Sequence, residues 1–352
     1  MRDPPLSAVF RVPLPDRALP SGAETADSYQ DGDGGGTVTE LDRRTKVLGR
    51  LIGLASVTRR SEAQIVADQQ RVVGHNAVTD LLLGGLAPGV SVRDTTAAGQ
   101  DGPIGVRVYR PTTFTGTPPL VVLVHGGGWT SGTLDTYDWL ASNIARDARV
   151  VVASLDYRLA PGHRWPAAAE DSYAATVDLV GRASELGADT TRVAVVGDSA
   201  GGNLAAVVAL MARDRSGPAI AFQALLYPAT DLTMASPSID ENATAPILTK
   251  ADMLAFRRHY LGGADPRQPY ASPLFAELAG LPPALVQVAE HDPLRDDGLR
   301  FAAALQDAGV AVRTTTYFGM PHGFMAFPRI SRAVPQALGE LCQELRRALA
   351  VS

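Results

Sequence analysis

Residues 193–210 read VAVVGDSAGGNLAAVVAL: an apolar run, a knot of very small residues, then a second apolar run. Gly197-Asp198-Ser199-Ala200-Gly201 at the join fits G-x-S-x-G and lies after a strand pattern and before a helix pattern, the context that motif requires. A turn this sharp strains the serine backbone, and side chains on either side would collide with strand and helix, so the neighbours must be small. The helix that follows lends its N-terminal dipole to negative charge developing near the hydroxyl. Taken alone, the motif also fits a tight turn whose serine merely caps the helix. Asp198 is read as structural, not as an acid partner of the serine.

Around this turn, strand-like and helix-like stretches alternate. The strand patterns are VSVRDTT, IGVRVYR, PLVVLVH, ARVVVAS, RVAVVG, AFQALLYP, PALVQVAE and AVRTTTYF. Helix-length segments lie between many of them: 136–148, 167–182, 201–213 and 298–307. The first two strands follow closely and suit an antiparallel edge pair. The later, uniformly apolar ones predict a parallel sheet covered by helices on both faces. The 352 residues and 45% apolar content allow a large buried core. Residues 1–40, rich in Pro, Gly and Asp, read as a disordered leader. Asp31, Asp33 and Gly36 resemble a calcium loop only incompletely, because Gly35 and Asp42 stand where ligands belong. Residues 41–85 read as N-terminal cap helices, with Leu48, Leu51, Ile52 and Ala55 at helical spacing. Residues 233–273 interrupt the alternation with the helix TKADMLAFRRHYL and read as a cap or lid inserted into a core of residues 86–232 and 274–352. Phe256 and Tyr260 on that helix suit an apolar ligand.

In open parallel sheets, sites form at the carboxyl ends of strands. Four loops there carry polar chemistry. Besides the serine turn, His125-Gly126-Gly127-Gly128-Trp129 follows PLVVLV and frees backbone N–H groups to face a cavity, as the oxyanion of an acyl-transfer transition state requires. His125 is read as anchoring that loop. Glu290-His291-Asp292-Pro293 follows PALVQVA and offers two acids; Asp292 is preferred because Pro293 fixes the turn presenting it, and Asp296 and Asp297 better fit ordinary loop or helix-capping carboxylates. Gly319-Met320-Pro321-His322-Gly323 follows the last strand. Beyond Ser199 only His259, His291 and His322 remain. His259 lies mid-helix before the acid and His291 adjoins it, which leaves His322. With chain order Ser, acid, His, these residues predict that His322 deprotonates Ser199, Asp292 orients the ring, and the glycine loop with the N–H of Ala200 holds the oxyanion.

HGGGW, DYRLAPGHRWPAAAED, GDSAGG, HDPLRDDG and GMPHGF together resemble the hormone-sensitive-lipase-like family of α/β-hydrolases, the bacterial carboxylesterases. The resemblance runs from about Val90 to the C-terminal helix. It implies an α/β-hydrolase fold, a largely parallel eight-stranded sheet with flanking helices and a helical cap, and hydrolysis of short- to medium-chain acyl esters. The family's oxyanion donors map onto Gly127, Gly128 and Ala200. Two departures stand out: Gly162 replaces a common Glu after YRLAP, and Asp297, the second aspartate of RDDG, replaces another. A deacetylase, lactonase or amidase with the same triad, or a non-catalytic binder on this fold, are the alternatives; retention of all three triad residues favours the enzyme.

The remaining expectations are negative or generic. A net charge of −5 gives no reason to expect nucleic acid as a partner. No run approaches about 20 apolar residues and no secretory pattern opens the chain, so a cytoplasmic protein without stable membrane insertion is expected. The single cysteine, Cys342, excludes an intrachain disulfide and reads as packed on a C-terminal helix. No cofactor or metal is expected; the partner is a small ester, and the protein a monomer or homodimer.

Overall fold

The computed structural model describes residues 10–11, 39–41, 43–53, 56–71, 74 and 77–351. The incomplete calcium-loop pattern and nearly all of the leader lie outside these residues. In chain order the elements are β1 (Phe10–Arg11), α1 (Arg43–Gly53), α2 (Glu62–Gln69), α3 (Ala77–Leu83), β2 (Val90–Gly99), β3 (Gly102–Pro111), β4 (Pro119–Val124), α4 (Leu134–Ala148), β5 (Val151–Asp156), α5 (Ala167–Gly181), β6 (Asp189–Asp198), α6 (Ala200–Asp214), β7 (Phe222–Leu226), α7 (Ser238–Glu241), α8 (Lys250–Leu261), β8 (Ala284–His291), α9 (Arg295–Asp307), β9 (Val312–Pro321) and α10 (Val334–Ala348).

The strands form one sheet in the order β1-β9-β8-β7-β6-β4-β5-β3-β2. The eight expected strands are present, and the two residues of β1 add a ninth at the edge, parallel to β9. β2 and β3 pair antiparallel, as does β3 with β5; the other pairs are parallel. Alternate residues of the central strands face opposite layers. Leu120, Val122 and Val124 pack towards α5, α6 and α9, while Val121 and Leu123 pack towards α4 and α10. Cys342 is buried on α10, and burial pushes its thiol up to about 12.

One feature of this topology places the site. β4 pairs with β5 on one side and β6 on the other, so successive connections diverge there and leave a crevice above the strand ends. The loop after β4 and the turn after β6 therefore meet. The segments over that crevice are held by capping boxes, which satisfy otherwise unpaired N–H groups: Ser61 with Gln64 starts α2, and Thr249 with Asp252 starts α8. Gly262, left-handed at φ +63°, ends α8.

Candidate active site

Ser199 sits between β6 and α6 at φ +55° and ψ −120°. That backbone places it at the N-cap of α6, yet its side chain makes no capping bond. Its Oγ lies 2.8 Å from Nε2 of His322. The turn is as crowded as the motif implies: a Cβ on Gly197 would lie 2.1 Å from the Gly201 carbonyl oxygen, and one on Gly201 2.1 Å from that of Val124.

His322 follows β9, whose register against β8 shifts between Ala289 and His291. Its Nδ1 lies 2.8 Å from Oδ2 of Asp292, and the other carboxylate oxygen of Asp292 accepts the Leu294 N–H at 2.7 Å. Asp292 is fully buried. Serine, imidazole and buried carboxylate thus lie in one hydrogen-bonded row, the arrangement in which an imidazole takes a serine proton and a carboxylate fixes its tautomer. Glu290, the other acid considered, points elsewhere and accepts the N–H groups of Thr39 and Gly319.

The glycine loop folds over the same turn. Gly127 and Gly128 have φ of +114° and +61°, and a Cβ on Gly127 would lie 2.2 Å from the Ser131 carbonyl oxygen. Among the described residues, no group bonds the N–H of Gly127 or Gly128. Ala200 opens α6, where an N–H has no acceptor within its own helix. Gly127, Gly128 and Ala200 line one cavity of about 330 Å³ with Ser199 and His322. Leu232, Leu248, Met253, Phe256 and Phe327 make the rest of its wall largely apolar, which suits an organic substrate with one polar reacting group.

Several supports of the loop lie far away in sequence. Asp198 is buried, and its Oδ1 accepts the Gly126 N–H at 2.9 Å; the Tyr137 hydroxyl accepts from the same group at 2.8 Å. Asp198 thus fastens the start of the glycine loop to the serine turn. Burial pushes its carboxyl up to about 6, opposed by the Tyr137 hydroxyl, the His322 ring and the Gly126 N–H. His125 is wholly buried and stacks on Tyr157 at 4.3 Å, and burial pushes its ring down to about 4. Gln69, the last residue of α2, donates through Nε2 to the carbonyls of Thr130 at 2.8 Å and Ala160 at 2.7 Å. Neither Gln69 nor Tyr137 belongs to a motif visible in the sequence.

Two readings need correction. Tyr260 does not face the cavity: it is fully buried and stacks on Trp129 at 4.3 Å, beneath the loop. Asp297 is no ordinary loop or capping carboxylate. It is fully buried and accepts the N–H groups of Thr230 and Asp231, each at 3.1 Å, and the Ser236 hydroxyl. It ties α9 to the segment after β7, and burial raises its carboxyl to about 7. Gly162 lines neither the serine cavity nor the space next to it.

The model of the alpha/beta hydrolase fold family matches residues 121–326. Carboxylesterase NlhH of Mycobacterium tuberculosis is 45% identical over 271 residues, 75% of this chain and 85% of that protein. Ethyl acetate hydrolase of Pseudomonas putida is 37% identical over 73% of this chain and 83% of its own. The solved structure of a hyperthermophilic esterase from the archaeon Pyrobaculum calidifontis superposes with a TM-score of 0.78 at 37% identity, covering 89% of this chain and 100% of that one. No helix among the described residues is long and apolar enough to cross a membrane. On these matches and this geometry, the chain belongs to the alpha/beta hydrolase fold family, among its ester hydrolases.

Proposed function

We propose that the protein is a serine carboxylesterase of the hormone-sensitive-lipase-like kind, acting on short- to medium-chain acyl esters. The observation that carries this reading is the hydrogen-bonded row Ser199–His322–Asp292, with 2.8 Å at each link, opening into a mostly apolar cavity. His322 takes the Ser199 proton as Oγ attacks the ester carbonyl carbon. The oxyanion so formed accepts hydrogen bonds from the N–H groups of Gly127, Gly128 and Ala200. His322 then returns the proton to the departing alkoxide oxygen, releasing the alcohol and leaving the acyl group on Ser199. Water, deprotonated by His322, attacks that acyl group, and the second collapse frees the acid and restores the serine. Asp292 holds the ring and stabilises the imidazolium throughout.

Hydrolysis of p-nitrophenyl esters of graded chain length tests this reading. Ser199→Ala should lower kcat by at least about 10⁴-fold, as loss of a triad member does. A fluorophosphonate probe should label Ser199 and no other residue. Label mapped to another side chain, or turnover undiminished in Ser199→Ala, would overturn the assignment.

A further inference from the structure

Open space continues beyond the cavity at Ser199. A second cavity, about 440 Å³, lies among α1, α2, the glycine loop and α8. Ile52, Ser131, Ile247 and Phe256 line both cavities and so form the partition between them. Phe256 lies directly on the glycine loop: a Cβ on Gly128 would meet its ring at 2.4 Å. The same side chain packs against Val57 and Ile65, in the wall of the second cavity.

Ile247 gives independent reason to regard the partition as built. Its φ is +77°, a backbone region that β-branched residues enter only where their surroundings hold them. Those surroundings are visible. The preceding Pro246 is seated so closely on α1 that a Cβ on Gly49 would lie 2.2 Å from the proline Cβ. On its other side, a Cβ at Gly323, next to His322, would lie 3.8 Å from the Ile247 side chain. Helix α1, the segment before α8 and the histidine loop thus meet at the Pro246–Ile247 pair, between the two cavities.

We propose that the second cavity is a closed arm of the substrate site, and that Ile247 and Phe256 set the substrate size limit by shutting it. Its chemistry fits a chain: Val57 and Ile65 offer apolar wall, and the Arg60–Asp68 ion pair supplies a polar border. The ligand it takes is an unbranched acyl chain longer than the first cavity holds. Each cavity alone sits near the lower end of the ~300–1,000 Å³ typical of small-molecule sites, whereas the two joined fall well inside that range. The proposal rests on the esterase reading of Ser199.

The test compares kcat/KM for p-nitrophenyl butanoate and dodecanoate in the wild type, Phe256→Ala, Ile247→Gly and the double variant Phe256→Ala/Val57→Trp. Glycine at 247 removes the side chain and tolerates the left-handed backbone, so it opens the partition by a route independent of Phe256. Both single variants should raise the dodecanoate-to-butanoate ratio by at least about tenfold, the effect expected of new apolar contact in a pocket. Tryptophan at 57, filling the second cavity, should bring the ratio back towards the wild-type value. An unchanged ratio in variants that still hydrolyse butanoate overturns the proposal alone. Failure of the wild type to hydrolyse butanoate overturns the esterase reading and the proposal with it.

Discussion

Ser199 keeps its left-handed backbone because its main-chain groups are tied on both sides. Its N–H donates to Leu226 at 2.8 Å, and its carbonyl accepts from Asn203 at 3.0 Å and Ala229 at 3.3 Å. The space for that geometry comes from Gly197 and Gly201. A Cβ at Gly201 would face two backbone carbonyls, of Val124 at 2.1 Å and His125 at 2.5 Å, and neither can rotate away. Gly201→Ala should therefore cost roughly 1–3 kcal/mol or more, the usual range for overpacking, read as a lower denaturation midpoint at unchanged m-value. An alanine variant as stable as the wild type would show that the turn can relax. These glycines were legible in the sequence because their constraint is local: strand, turn and helix follow within a few residues. The role of Asp198 was not, since its partner Gly126 lies 72 positions away and no spacing rule joins them.

At the scale of elements, period and punctuation carried most of the reading. The edge hairpin, the alternation of strands and helices and the helix that became α8 were all legible in the pattern. Boundaries shifted where capping chemistry decided them: α4 begins at Leu134 rather than 136 because Thr133 and Thr136 form a capping box. The junction between α2 and the glycine loop was not legible. It depends on one amide, Gln69, which links Thr130 and Ala160, while the Ala160 N–H donates to Trp129 at 2.8 Å. An exposed-looking glutamine at a helix end carries no sequence mark of that task. Gln69→Leu removes both donors and leaves two carbonyls without them. With each bond worth about 0.5–1.5 kcal/mol, kcat/KM should fall about 5- to 150-fold. On the proposed mechanism the loss should lie mostly in kcat, because oxyanion donors act chiefly in the transition state. A loss confined to KM would assign Gln69 to substrate binding instead.

Over the whole molecule, the strand ends gather buried titratable groups whose proton linkages oppose one another. The folded state lowers the His125 ring to about 4, below the ordinary 6.5, so its contribution to stability falls as pH drops through that interval. Asp198 and Asp297 act in the opposite sense. Their carboxyls rise from 3.8 to about 6 and about 7, so the folded state holds protons that the unfolded chain has released. Their contribution is fully present below about pH 4 and is lost as pH climbs through those raised values. Between pH 4 and 6 the histidine offsets only one of the two carboxyls, so these three groups together should lower stability by about 1 kcal/mol per unit as pH rises there. Removing one carboxyl exposes its share. Asp297→Asn keeps an oxygen for the Thr230 and Asp231 N–H groups but cannot ionise. Whatever its stability at pH 4, it should gain on the wild type steadily up to about pH 7 and hold that gain above, by an amount on the order of a few kcal/mol. Thermal or denaturant melts of both proteins from pH 4 to 8 measure the difference. A difference that stays constant across that range would mean Asp297 is already ionised at the low end, with its three donors outweighing the cost of burial.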